Sequence, residues 1–252
     1  MRVHGADFMQ MLCFVIILAY PGFVHAAYTL MRLICNWIIP KATLEASLSK
    51  YDFIASFAFL TFALVFVFSV CPVDSCILTA GFTWPQWFNV PEPLSLPVDL
   101  LAGVFLGISY YFVEASVASW SVKFYRSDST SETFWTFGQT RRIVKGAQQL
   151  PTLFLLFLIA SKATLEEVLW RGFVFIFAVD VLDLPQPHAI AISSVAFGIS
   201  HFSYGIANIL SKTLFGGILC MVYSMASSLI PAILCHQAFN FMVFRFRIEW
   251  HR

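Results

Sequence analysis

The sequence predicts an all-α fold, a polytopic transmembrane helical bundle of about seven spans. Composition is the first reason. Of 252 residues, 59% are hydrophobic and 12% charged, with 28 phenylalanines, whereas soluble domains carry about twice that charge. The second is the length of the apolar runs. A helix needs about 20 apolar residues to cross the hydrocarbon core, and runs of this kind fall at 8–34, 52–71, 98–120, 151–180, 188–204, 206–226 and 229–248. The third is that lysine and arginine alternate between the connecting segments, as the positive-inside bias requires. Net charge is +1 with no basic patch. Nucleic acid is therefore no partner, and the lipid bilayer is.

Taken in order, the first span is followed by Arg32, Lys41 and Lys50. After the second, the loop 72–97 has neither lysine nor arginine, and its Trp84 and Trp87 suit headgroup-level anchors, as does Trp120 at the end of the third. Segment 121–150 carries Lys123, Arg126, Arg141, Arg142 and Lys145, segment 181–187 none. Lys212 is read as marking the next turn, and the tail holds Arg245, Arg247 and Arg252. The result is an N-out, C-in molecule, multi-pass, in the plasma or inner membrane of a bacterium or the endoplasmic reticulum of a eukaryote. The rival for the first span is a cleaved signal peptide, "MLCFVIILAY" with "VHA" as processing site, which would invert every later loop. The polar stretch 123–146 is the one candidate boundary. It divides N-terminal spans of unassigned role, 1–149, from a membrane core at 150–248.

Cys13, Cys35, Cys220 and Cys235 lie in apolar runs, where a thiol acts as a small hydrophobe. Cys71 and Cys76 sit in a polar loop and can pair on an oxidising side, free thiols being the plainer reading.

The chemistry concentrates in "KATLEEVLWRGFVFIF", residues 162–177. A charge at the centre of a membrane helix costs roughly 2.5–3.5 kcal/mol on insertion scales, so Glu166, Glu167 and Arg171 need a compensating reason. Residues four apart share a helix face. Glu167 and Arg171 are thus expected to pair, which leaves Glu166 over. Downstream, "SSVAFGISHF" places His201 four residues after Phe197 on the fifth span, and "ILCHQAFNF" places His236 and Asn240 four apart on the last. Ionisable groups in membrane helices face a bundle interior or a wet cavity. Glu166, His201, His236 and Asn240 are therefore expected around one polar chamber. A carboxylate with an imidazole can take a proton from water that attacks a carbonyl, and an imidazole N–H with a carboxamide can hold the oxyanion.

These segments resemble a known family. "EEVLWRGF" looks like the EExxxR motif of the CAAX prenyl endopeptidase and bacteriocin-processing (CPBP) intramembrane proteases, also called abortive-infection proteins. "FGISH" is similar to its FxxxH motif, and "HQAFN" to its third, a histidine followed four residues later by Asn or Asp. "LFGGILCMVYSMASSLIPAILCH" resembles the approach to that histidine. The likeness covers roughly residues 150–245. It implies an intramembrane endopeptidase at 150–248, with Glu166 as general base assisted by His201, His236 and Asn240 as the oxyanion pair, and Glu167 with Arg171 in support. It also implies a peptide or protein substrate, with or without a prenyl group, and no cofactor. Gly172 is expected to admit a neighbouring backbone, and Phe197 to orient the helix of His201.

Three alternatives stand beside it. A zinc peptidase would use His201, His236 and a glutamate, although H-E-x-x-H is absent. A non-catalytic immunity or scaffold protein would keep its phenotype without Glu166. A proton-coupled carrier also hides acids and histidines at mid-membrane, but no repeated hydropathy halves appear. Glu114 is expected to be a structural partner of Lys162 or Arg171, and His188 and His251 to be solvated. One tension remains in depth. At 1.5 Å per residue, Glu166 counted from 151 and His201 counted from 188 miss each other by roughly 12 Å in a core of about 30 Å. A tilt, or a bend near Ser161 and Lys162, would reconcile them.

Overall fold

The computed structural model describes residues 11–12, 14–19, 57–58, 60–62, 64–65, 95–125 and 150–246. Among them all regular structure is helical. Among the described residues three helices are long and apolar enough to cross a membrane, Pro97–Val117, Ile206–Ala226 and Leu229–Phe246, and the chain is an integral membrane protein. The expectations for Cys71 and Cys76, Trp84 and Trp87, His251, the loop at 126–149 and the signal-peptide alternative lie outside the described residues.

Five α-helices carry the described part: α1 Ser95–Tyr125, α2 Thr152–Glu167, α3 Gln186–Ile199, α4 Ile206–Ala226 and α5 Leu229–Phe246. Their ends follow local chemistry. Pro151 and Pro185 stand just before α2 and α3 in extended conformation, where a missing N–H is harmless. A single 3₁₀ turn, Phe202–Tyr204, follows α3, and Gly205 at φ 92° starts α4. Ser227, left-handed at φ 50°, closes α4, and Ser228 Oγ accepts the N–H of Ile230 at 3.3 Å. So short a turn folds α5 back against α4.

Two glycine seams set how closely the helices approach. On α1, "GVFLG" puts Gly103 and Gly107 one turn apart against the carbonyls of Pro231 and Cys235 on α5. A Cβ on Gly103 would lie 2.7 Å from the Pro231 oxygen, and one on Gly107 would overlap that of Cys235. Tyr110 continues the line to Phe239, ring centroids 5.6 Å apart, so α1 and α5 run parallel. On the other side Gly198 and Gly216 let α3 meet α4; a Cβ on Gly216 would stand 3.1 Å from both the Ser194 Cα and the Phe197 ring. Small residues matter here because helix association in lipid is driven by packing rather than by water exclusion.

The structure departs from the expected spans in two places. The helix beginning at Thr152 is regular through Ser161 and Lys162 and changes only after Glu167, with π-type bonding at Val168–Phe175 and Phe177–Val181. Wider turns leave carbonyls for other donors, and Ser193 Oγ reaches the Trp170 oxygen at 2.8 Å. Second, α3 has 14 residues, about 21 Å of helix, which is short of the roughly 30 Å core. His201 therefore sits in the turn beyond α3 rather than on a fifth span reaching 204.

Candidate active site

Two ion pairs at the same spacing interlock on α2 and its π extension. Arg171 Nη1 lies 3.0 Å from Glu167 Oε1, both side chains at zero exposure. Lys162 Nζ lies 3.6 Å from Glu166 Oε1. Glu166 is thus not left over: its partner stands one turn before it, at the spacing used to pair Glu167 with Arg171. Arg171 also donates from Nη2 to the Gly216 oxygen at 2.9 Å and lies 4.7 Å from the Phe197 ring centroid, a cation–π distance.

His236 joins the pairs. Its Nδ1 is 2.7 Å from Glu167 Oε1 and its Nε2 is 3.5 Å from Glu166 Oε2. An oxygen that already accepts from Arg171 is an acceptor for the imidazole too, so we assign the proton to Nδ1 and turn Nε2 toward Glu166. The imidazole meets Phe197 and Phe215 nearly at right angles, centroids 5.7 and 5.5 Å away. Next to it, Gln237 donates to the Ala160 oxygen at 3.2 Å and to Thr164 Oγ1 at 3.1 Å. That fork ties α5 to α2 one residue from the imidazole and fixes its height against the two glutamates.

His201 reaches the same place from the α3–α4 turn. Its Nδ1 is 2.9 Å from the Phe197 oxygen and 3.0 Å from Ser200 Oγ. A carbonyl only accepts, so Nδ1 carries the proton and Nε2 is the acceptor nitrogen. The ring packs on Phe197 at 4.8 Å and Tyr204 at 6.0 Å. Lys162, His236 and His201 lie within electrostatic range of Glu166. Glu166 and His236 are therefore in direct contact, with His201 in electrostatic range beside Phe197. Asn240 lies one turn past His236, half-buried, and joins none of these contacts.

Three expectations are corrected. Glu114 pairs with Lys212 at 3.3 Å, not with Lys162 or Arg171, which Glu166 and Glu167 hold. Lys212 does not mark a turn: it is buried within α4, its ammonium 3.9 Å from the Phe239 ring centroid. Gly172 makes room for a side chain rather than a backbone, since the nearest atom to a Cβ there would be a Leu229 methyl at 3.3 Å. Phe197 does more than pack its own helix, because its ring touches both imidazoles and the guanidinium. His188 is exposed in the first turn of α3. Among the described residues no group of three or more His, Cys, Asp or Glu is placed to hold a metal ion.

Sequence reasoning missed Lys162, Gln237 and Phe215 as members of the site. For Lys162 the signal was present in the four-residue spacing; for the other two it was not.

With that geometry in place, residues 148–242 match the family model described as Type II CAAX prenyl endopeptidase Rce1-like. No curated protein and no solved structure matches the chain.

Proposed function

We propose, from the Rce1-like match over residues 148–242 and the contacts around Glu166, that the protein is a CAAX-type intramembrane endopeptidase of the glutamate type. The observation that carries this reading is the line Arg171–Glu167–His236–Glu166, with contacts of 3.0, 2.7 and 3.5 Å buried in an apolar bundle. Structure alone needs only the Glu167–Arg171 pair. A second carboxylate and an oriented imidazole beside it are what hydrolysis needs.

In the proposed step Glu166 takes a proton from water as the water oxygen attacks the peptide carbonyl. His201, its Nδ1–H held by the Phe197 carbonyl, offers Nε2 to the same water. Glu167 fixes His236 as the acid of a catalytic triad fixes its imidazole. Once His236 has taken a second proton from solvent onto Nε2, before the attack, its Nε2–H and the Asn240 amide donate to the developing oxyanion, each such donor being worth about 2.7–4 kcal/mol of barrier. As the intermediate collapses the C–N bond breaks and Glu166 returns its proton to the leaving amine. The substrate is a membrane-bound peptide or protein ending, as the family's description suggests, in a prenylated CAAX segment.

The test is turnover of a prenylated CAAX peptide by the full chain in lipid vesicles, with products identified by mass spectrometry. Glu166→Gln is expected to lose about 10²–10⁴-fold while still folding. Wild-type turnover by E166Q, or none by the wild type, overturns the reading.

A further inference from the structure

The lysine one turn before Glu166 lies outside every motif in which the sequence likeness was found, yet it occupies one oxygen of the carboxylate. Glu166 divides its two oxygens, Oε1 toward Lys162 at 3.6 Å and Oε2 toward His236 at 3.5 Å. A base with both oxygens so engaged has a cation to shed before it can take up a proton. Lys162 is the cation able to leave. Its side chain is 18% exposed against 10% for Glu166. The other lysine in range of His201, Lys212, is held by Glu114 at 3.3 Å and by the Phe239 ring at 3.9 Å. Lys162 also lies within electrostatic range of Tyr204 and His201 in the α3–α4 turn. An ammonium drawn off a buried carboxylate needs a replacement anion close by, because an isolated charge in such a setting is strongly disfavoured.

We propose that Lys162 is a specificity-determining residue: it takes the terminal carboxylate of the peptide substrate, and in doing so comes off Glu166 Oε1 and leaves that oxygen to the attacking water. The inference rests on the protease reading above. It adds that a free carboxylate end is required and names the side chain that reads it. Charge is conserved in the exchange. Lys162 trades one carboxylate for another, and Glu166 gains its proton from the water that is consumed.

The experiment compares two peptides differing only in the last group, carboxylate against carboxamide, with full-chain protein in vesicles. Wild type is expected to lose about tenfold or more in kcat/KM on the amide, Lys162→Met to bring the ratio of the two peptides near one, and Lys162→Arg to restore it. Equal cleavage of both peptides by the wild type overturns the proposal whether or not a variant folds. So does a wild-type ratio in folded K162M, or in Lys162→Gln should K162M not fold. Binding of the same two peptides to purified protein separates this idea from the protease reading. If neither peptide is cleaved but the carboxylate form binds more tightly, and only with Lys162 present, the assignment stands and the hydrolytic reading falls. No preference in binding overturns the assignment itself.

Discussion

His236 Nδ1 stands 2.7 Å from Glu167 Oε1, closer than Arg171 Nη1 at 3.0 Å, and the two donors share that single oxygen. Glu167 Oε2 and Arg171 Nε have no hydrogen-bond partner among the described residues. One buried oxygen thus joins the cation that balances the site to the imidazole that faces Glu166. Stability and alignment meet in the same contact.

Removing the cation tests the stability half. Arg171→Met leaves the Glu167 carboxylate buried without a counter-charge, and breaking such a pair from one side costs about 3–5 kcal/mol. Arg171→Lys keeps the charge but lacks the planar fork that reaches both Glu167 and the Gly216 oxygen, so an intermediate loss is expected. Thermal unfolding of the three proteins in one detergent measures the order wild type, R171K, R171M. Equal stability of R171M and wild type would show that the pair carries no such weight.

The alignment half depends on Phe197, whose ring touches His201, His236 and Arg171 and is fully buried. Phe197→Ala is expected to cost about 3–5 kcal/mol through lost burial and the cavity left behind. Phe197→Leu fills most of that space but has no ring to present to two imidazoles and a guanidinium. It is expected to recover most of the melting temperature and little of the turnover. Parallel recovery of both would reduce Phe197 to a packing residue.

Much of this is legible in the sequence. Spacing alone put Glu167 on Arg171 and Phe197 beside His201, because a helix brings positions four apart together whatever its neighbours do. The same rule pairs Lys162 with Glu166, although Glu114 competes in the sequence as a partner for Lys162 or Arg171. That acid belongs to Lys212, 98 positions away, and no periodicity reports a contact between distant helices. Nor did the sequence announce that Glu167 would bind His236. That depends on how α5 meets α2, which Gln237 fixes by reaching across to the Ala160 carbonyl and Thr164 Oγ1. The span at 188–204 was overestimated for a simpler reason. Hydropathy counts apolar residues, and Phe202 and Tyr204 are apolar without being in the same helix.

The seam between α1 and α5 predicts that residues ahead of the 148–242 match matter to activity. A side chain at Gly107 would run into the Cys235 carbonyl, next to His236. Gly107→Val is expected to cost about 1–3 kcal/mol or more from overpacking and to lower turnover by moving α5. Phe105→Ala, on the outer face of α1 at 72% exposure, is the control and is expected to change stability by less than about 0.5 kcal/mol. If G107V matches F105A in melting temperature and turnover, α1 is a neighbour of the site and not part of its frame.

Metal dependence can be argued from the donors. A zinc site takes neutral imidazoles and carboxylates whose lone pairs point at one ion. Here His236 Nδ1 is spent on Glu167, Glu167 Oε1 is shared with Arg171, and Glu166 Oε1 faces the Lys162 ammonium. Binding a dication between them would mean displacing two cations already paired with those oxygens. Turnover of the reconstituted protein is therefore expected to be unchanged after prolonged chelator treatment and unaffected by added zinc. Complete loss with chelator, recovered stoichiometrically with zinc, would reassign Glu166 and His236 as ligands and remove Glu166 from the role of base.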